Sequence, residues 1–120
     1  MNYVAYVLDE RSVNILKEVF PPKYPDFIGH HITYRLGTSI VPKQPKLVEV
    51  VGYVDDKEGL EALIVEVDGT IERRDGGVYH ITWSLDRSLG MKPSNSNLII
   101  AHFGYVPTER IQINTLIETL

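Results

Sequence analysis

The chain has 120 residues, 43% of them hydrophobic and 23% charged, which fits one compact globular domain. It contains no cysteine, which excludes disulfides and thiolate metal sites and suits a reducing compartment, so we expect a single domain over residues 1–120 in the cytoplasm. The net charge of −4 argues against a surface that coats long nucleic acid, although one phosphate or an RNA end needs only a few local cations. The N-terminus lacks a basic leader, and no apolar stretch approaches the roughly 20 residues of a membrane-spanning helix, so we expect no membrane contact.

The first part of the chain predicts two strands separated by a helix. Residues 2–8 alternate and are rich in Tyr and Val, as β-strands are. Asp9 is a candidate N-cap for a helix that continues to about Phe20. Three prolines then end the helix and hold an irregular loop, which leads to a second strand over residues 29–36. The predicted buried face of the helix consists of Ile15, Leu16, Val19 and Phe20.

The middle of the chain predicts an antiparallel hairpin. Its strands cover residues 47–54 and 60–67 and are joined by a polar turn. Arg73 and Arg74 precede the turn signal Asp75-Gly76-Gly77, so we expect both arginines in an exposed turn. A further strand is predicted over residues 78–85.

The last part of the chain predicts a short helix and a closing strand. Ser94 or Asn95 is a candidate N-cap for a helix through His102. Residues 110–120 alternate weakly and fit a closing strand or a helix, of which we favour the strand. Many strands, one or two helices and hairpin-length turns predict an α+β fold with antiparallel sheet rather than a doubly wound parallel sheet.

Two of the predicted strands carry a repeated segment. HITYRL at His31–Leu36 recurs as HITWSL at His80–Leu85. The chain has only four histidines, and two of them occupy the same place in the repeat. The repeat therefore indicates paired roles for His31 and His80.

Strand geometry predicts which side chains of the repeat share a face. Alternate residues of a strand project to the same side, so the first, third and fifth residues of each segment form a polar face. The second and fourth residues are expected in the core. The polar faces consist of His31, Thr33 and Arg35 on one strand and His80, Thr82 and Ser84 on the other.

Two imidazoles and two hydroxyls around one anion suit phosphoester cleavage. The reaction needs a base for the nucleophile and an acid for the leaving oxygen, and histidine serves both roles near neutral pH. Threonine hydroxyls can hold the nonbridging oxygens and stabilise the charge that develops in the transition state. This scheme requires no metal, and the sequence leaves open which histidine is the acid.

With these two motifs the sequence resembles the two-histidine phosphoesterase superfamily. The hallmark of that superfamily is a pair of His-x-Thr/Ser motifs flanked by hydrophobic residues, and residues 31–33 and 80–82 match both. The stretch after the second motif is also similar to the small RNA-repair-associated branch of the superfamily. The residues that carry this second similarity are Gly90, Pro93, Ser96 and Asn97.

The resemblance implies a bilobal α+β fold, with two antiparallel sheets around a central cleft. It implies cleavage of 2′,3′-cyclic phosphates, or of 2′-5′ or cyclic oligonucleotide linkages, without metal or other cofactor. His31 and His80 would be catalytic, and Thr33 and Thr82 would bind phosphate. The partner would be a small nucleotide, a cyclic oligonucleotide or an RNA end.

Several other side chains are candidate substrate contacts, each with a plainer alternative. Arg35, Ser84 and Lys92 can meet a phosphate or simply be solvated. Tyr24 can stack on a base or fill the core. His30 and His102 are expected to have structural roles.

Two alternative functions are compatible with the same residues. The chain can be a non-catalytic module of the same fold that binds a nucleotide or an RNA end. It can also be a small barrel that binds a metal through its four histidines, although neighbouring residues of a strand face opposite sides and no His-x-His with a spaced glutamate is present.

Overall fold

A computed structural model describes residues 3–37 and 40–120. These residues form eight β-strands, two α-helices and one 3₁₀ turn, so the predicted α+β class is confirmed. Neither α-helix of this part of the chain is long and apolar enough to cross a bilayer. In chain order the elements are β1 (Tyr3–Leu8), α1 (Glu10–Val19), β2 (Asp26–Phe27), β3 (His31–Leu36), β4 (Val48–Asp55), β5 (Leu60–Val67), β6 (His80–Leu85), the 3₁₀ turn (Arg87–Leu89), α2 (Asn95–Phe103), β7 (Val106–Gln112) and β8 (Thr115–Thr119).

The strands form one curled antiparallel sheet. Its order is β7-β4-β5-β6-β3-β1-β8, and the short β2 also pairs with β6. The resemblance to the two-histidine superfamily implied two sheets, but β3 and β6 pair at Ile32 and Ile81 and thereby join the strands into a single sheet. The two copies of the repeat are therefore neighbours at its centre.

One side of the sheet, which we call the α1 face, holds the larger core. Leu63 and Val65 of β5 point into it, together with Ile81 and the fully buried Trp83 of β6. The indole Nε1 donates to the carbonyl of Phe20 at 2.8 Å, which ties the end of α1 to this core.

The other side, the α2 face, holds a smaller core. Ala62 and Ile64, which alternate with the β5 residues of the α1 face, contact Ile99 and Ile100 of α2. A helix therefore covers part of each side of the sheet.

The predicted N-cap of α1 is confirmed, but its predicted buried face is wrong in part. Asp9 accepts a hydrogen bond from the Ser12 backbone N–H at 2.8 Å. Leu16 is buried as predicted, whereas Ile15 and Val19 are 39% and 52% exposed. The buried Ser12 lies on the inner side instead, because its hydroxyl accepts from the backbone N–H of Asn114 at 2.8 Å.

The predicted closing strand is two strands at opposite edges of the sheet. β7 pairs with β4, and β8 pairs with β1. The chain crosses between the edges at the buried Ile113 and at Asn114, whose carbonyl accepts from the Asp9 backbone N–H at 3.1 Å. Residues 106–112 and 115–119 each have the alternation of a strand. The contact of Asn114 with the start of α1 fixes where the chain passes from one edge of the sheet to the other.

Candidate active site

The register between β3 and β6 brings the two His-Ile-Thr segments together. Since Ile32 faces Ile81 in an antiparallel pair, His31 lies opposite Thr82 and Thr33 lies opposite His80. The two histidines are thus diagonal neighbours, positions that are about 7–8 Å apart in a sheet.

All four of these side chains lie on the α2 face and line one cleft of about 310 Å³. The start of α2 closes one side of the cleft, where Ser94 and Asn97 line it, and Tyr3 of β1 lies on the opposite side. The sequence-predicted pairs His31/Thr33 and His80/Thr82 therefore share one site.

A β-bulge moves Arg35 out of this group. The adjacent residues Val4 and Ala5 of β1 pair with Arg35 and Thr33 respectively, so β3 contains one extra residue between the two pairs. Val4 and Ala5 face opposite sides of the sheet because they are adjacent, so their partners Arg35 and Thr33 also face opposite sides. Arg35 is exposed and lies away from the cleft. The predicted shared face is wrong at this position, and Leu36 lines the cleft in its place.

The second copy of the repeat contains a bulge at the same place. Glu61 and Ala62 of β5, which are adjacent, pair with Ser84 and Thr82. Ser84 is therefore on the α1 face, where it is fully buried and donates to the Glu61 carboxylate. The prediction that Ser84 shares the face of His80 is wrong for the same reason as for Arg35.

Tyr24 and Lys92 also lie outside the residues that line the cleft. The Tyr24 hydroxyl donates to Asp55 at 2.6 Å, and its backbone N–H donates to Ser84 on the α1 face at 3.1 Å. Lys92 is exposed, and its backbone N–H donates to Asn95 at 2.8 Å. Neither side chain lines the cavity that holds the two histidines.

His31 has a neutral ring near pH 7. Its pKa is lowered to about 4, mainly by burial and to a lesser extent by the nearby rings of His30 and His80. Its Nε2 lies 3.3 Å from the Tyr3 hydroxyl, and its Nδ1 lies 3.0 Å from Nδ1 of His30. Both nitrogens of His31 thus have neighbours that can exchange a proton with it.

His80 is more deeply buried and its tautomer is fixed. The side chain is 9% exposed, and Nδ1 lies 2.7 Å from the carbonyl oxygen of Val78. A carbonyl only accepts, so Nδ1 carries the proton and Nε2 has a free lone pair. Burial lowers the pKa of His80, the bond to Val78 opposes this shift, and the charge of Arg73 adds to it.

The Thr82 hydroxyl is linked to the start of α2. It lies 2.8 Å from the Ser96 hydroxyl and donates to the carbonyl of Pro93 at 3.3 Å. When Ser96 donates to Thr82, the Thr82 proton points to Pro93, and it must leave this carbonyl to bind an anion. Thr33 is half-buried and forms no hydrogen bond through its hydroxyl with the described residues.

Arg73 is the cation of the cleft, and the sequence prediction of an exposed turn is wrong for it. The side chain is 9% exposed and lines the cleft beside His80. Its Nε donates to Asp75 at 2.5 Å, and its guanidinium lies against Gly77. Arg74 is exposed as predicted. Gly77 was the available signal, since a backbone without Cβ lets a side chain approach closely.

The remaining histidines do not complete a metal site. His30 is exposed and contacts His31, and His102 is exposed with its ring against Phe103. Over residues 3–37 and 40–120, no three His, Asp or Glu side chains are grouped closely enough to hold a metal ion.

No protein-family model, curated protein or solved structure matches this chain. The functional assignment therefore rests on the two motifs and on the chemistry of the cleft.

Proposed function

We propose that the chain is a metal-independent phosphodiesterase of the two-histidine type, acting in a reducing, cytoplasmic compartment. Its substrate is a 2′,3′-cyclic phosphate or an oligonucleotide with a 2′-5′ or cyclic linkage. The observation that supports this best is the placement of two imidazoles, two threonine hydroxyls and the guanidinium of Arg73 around one cleft.

The electrostatics of the cleft suit a phosphodiester monoanion. Both histidines have lowered pKa values, so Arg73 provides the positive charge of the free site at pH 7. A bound anion raises the pKa of a nearby imidazole because it stabilises the protonated form. Substrate binding therefore supplies what catalysis needs, one neutral ring as base and one protonated ring as acid.

The chemistry follows from these two protonation states. The neutral histidine takes the proton of the attacking oxygen as that oxygen bonds to phosphorus. The protonated histidine gives its proton to the leaving oxygen as the old P–O bond breaks. In His80 the atom that exchanges the proton is Nε2, since Nδ1–H stays bonded to Val78.

The threonines and Arg73 stabilise the charge on the nonbridging oxygens. Thr33 and Thr82 lie across from the two histidines, one beside each. Donors that are already oriented towards a developing oxyanion contribute strongly in a cleft with little water. Arg73 is oriented in advance by Asp75, which holds its Nε.

The symmetry of the sheet supports the bilobal arrangement of this superfamily. The two repeats meet at Ile32 and Ile81, and each is bulged at its fourth residue. We propose that β1, β3 and β8 form one lobe and that β4 to β7 form the other, with the cleft at their junction.

The direct test is replacement of each catalytic histidine. His31→Ala and His80→Ala are each expected to lower kcat/KM by at least about 100-fold, the contribution typical of general acid–base groups. The measurement is a chromatographic assay with a panel of 2′,3′-cyclic nucleotides, 2′-5′ and 3′-5′ dinucleotides and cyclic dinucleotides.

His102→Ala is the matched control, because His102 is exposed and lies outside the cleft. Circular dichroism checks that each variant is folded. Near-wild-type turnover in either catalytic variant contradicts the proposal. Nucleotide binding without any product across the panel would instead identify a non-catalytic binding module.

A further inference from the structure

A second cavity of about 460 Å³ adjoins the cleft on the same side of the sheet. It lies between the Gly76-Gly77 turn and the C-terminal half of α2, with Tyr105 at its far end. Arg73 and Asn97 line both cavities. A ligand held at Arg73 can therefore extend into either one.

Arg73 forms the boundary between the two cavities. An added Cβ at Gly77 would lie 2.6 Å from its Nη2, so the guanidinium is seated on glycine backbone. Asp75 holds Nε, and the η-nitrogens donate no hydrogen bond within the described part of the chain. These N–H groups are free to bind phosphate oxygens at the boundary.

The walls of the second cavity have the chemistry of a nucleoside site. Val78, Ile100 and Ala101 give it an apolar surface. The Tyr105 ring rests directly on Gly52, where an added Cβ would lie 2.4 Å from the ring. Tyr105 is 38% exposed and lines the cavity, and aromatic rings stack on bases with little regard to their identity.

Asn97 adds a polar group that can orient such a ligand. Its Nδ2 donates to the carbonyl of Ser94 at 3.3 Å, which leaves the amide oxygen as a free acceptor for a base or ribose donor. Sites of about 300–1,000 Å³ with mainly apolar walls and few polar groups are typical for small molecules, and both cavities fall in this range.

We propose that the second cavity binds a nucleoside joined to the phosphate that is held between His31, His80 and Arg73. The preferred substrate is then a dinucleotide or longer oligonucleotide, with one nucleoside on each side of the reacting phosphate, rather than a single cyclic nucleotide. This inference rests on the proposed phosphodiesterase site. The second nucleoside lies on the side of His80, since Val78, which fixes the ring of His80, lines the cavity.

The test is to fill the second cavity without touching the catalytic side chains. Ala101→Phe places a ring in it, whereas Leu98→Phe on the same helix is the control, because Leu98 is 71% exposed and lines neither cavity. Calorimetry compares two probes, adenosine 2′-monophosphate and a slowly reacting phosphorothioate of 2′-5′-linked diadenosine. The turnover of adenosine 2′,3′-cyclic phosphate is measured beside them.

Wild-type protein is expected to bind the dinucleotide at least tenfold more tightly than the mononucleotide. Ala101→Phe should remove this difference, with mononucleotide affinity and cyclic-phosphate turnover within about twofold of wild type, and Leu98→Phe should change nothing. Equal wild-type affinities for the two probes, or an equal loss for both in Ala101→Phe, overturn the inference and leave the phosphodiesterase proposal standing. Selective dinucleotide binding without turnover of any substrate supports the second cavity and refutes the phosphodiesterase.

Discussion

The two copies of the repeat have almost the same sequence but different surroundings. β6 lies between β5 and β3, and all six of its residues are buried. β3 lies between β6 and β1, with its first residue half-buried and its last two exposed. The same His-Ile-Thr segment is therefore placed once in the interior of the sheet and once nearer to solvent.

This difference gives the two histidines different properties. His80 is held in one tautomer by the carbonyl of Val78 and lies beside Arg73. His31 contacts two side chains that can rotate and exchange protons, Tyr3 and His30. The repeat sets where the imidazoles lie, and the neighbours of each strand set how each one titrates.

The largest effect on the difference between His31 and His80 is expected when the guanidinium of Arg73, which lies beside His80, is removed. Arg73→Met keeps much of the side-chain volume but removes the charge and the N–H donors that we propose for the nonbridging oxygens. We expect kcat/KM to fall by about 100-fold, as for other preorganised donors to an oxyanion. We also expect the pKa of His80 to rise, because the charge of Arg73 lowers it, and that of His31 to change little.

Arg74→Met is the matched control, since Arg74 is the next residue and is exposed. Steady-state kinetics measure the loss of activity, and NMR titration of the ring protons follows the two histidines separately. A full loss of activity in Arg74→Met would show that the loss is not specific to Arg73. Equal shifts of both histidines in Arg73→Met would show that Arg73 does not act locally on His80.

A smaller effect is expected on the pH dependence of stability. The pKa of His31 is about 4 in the folded protein and near 6.5 when the ring is free, so between these pH values the unfolded chain binds more protons than the folded one. The contribution to the free energy of unfolding is complete above about pH 6.5 and is lost as the pH falls towards 4. His80 acts in the same direction, because its pKa is also lowered.

His31→Gln should therefore reduce the slope of unfolding free energy against pH between pH 5 and 7, while the contribution of His80 remains. Urea unfolding at several pH values measures the slope. His102→Gln, which replaces an exposed ring outside the cleft, is measured beside His31→Gln as the matched variant. An unchanged slope in His31→Gln would mean that its ring is as accessible to protons in the folded chain as in the unfolded one.

Much of the fold was predictable because it depends on local patterns. The Asp9 cap, the hairpin of β4 and β5, and the helix after Ser94 all follow from turn residues and periodicity, and the structure contains each of them. The pairing of the histidine motifs was predictable from the repeat, since two equivalent strands that both carry buried isoleucines tend to meet at a common core.

The bulges were not predictable from the alternation of polar and apolar residues. Strict alternation places the fifth residue of each His-Ile-Thr repeat on the same face of the sheet as its histidine. The residue inserted in each strand instead puts the sixth residue, Leu36 or Leu85, on that face. The candidates Arg35 and Ser84 were lost for this single reason. The burial of Arg73 depends on the glycines of its own turn and on Asp75, which also accepts from the Leu36 backbone N–H at 3.4 Å across the sheet.

The smallest effect is expected from replacement of His30. This change tests whether the ring of His30 shifts the pKa of His31, the more exposed of the two repeat histidines. The ring of His30 lowers the pKa of His31, second to burial, so His30→Ala should raise the pKa of His31 while the lowering by burial remains. NMR titration of His31 measures this directly, and the pH profile of kcat/KM should move in the same direction. His80 should not respond, because its pKa depends on burial, Val78 and Arg73. A fall in the pKa of His31 would mean that the Nδ1–Nδ1 contact of 3.0 Å stabilises the protonated ring. An equal change at His80 would mean that the effect of His30 is not local to His31, and the asymmetry between the two strands would then need another cause.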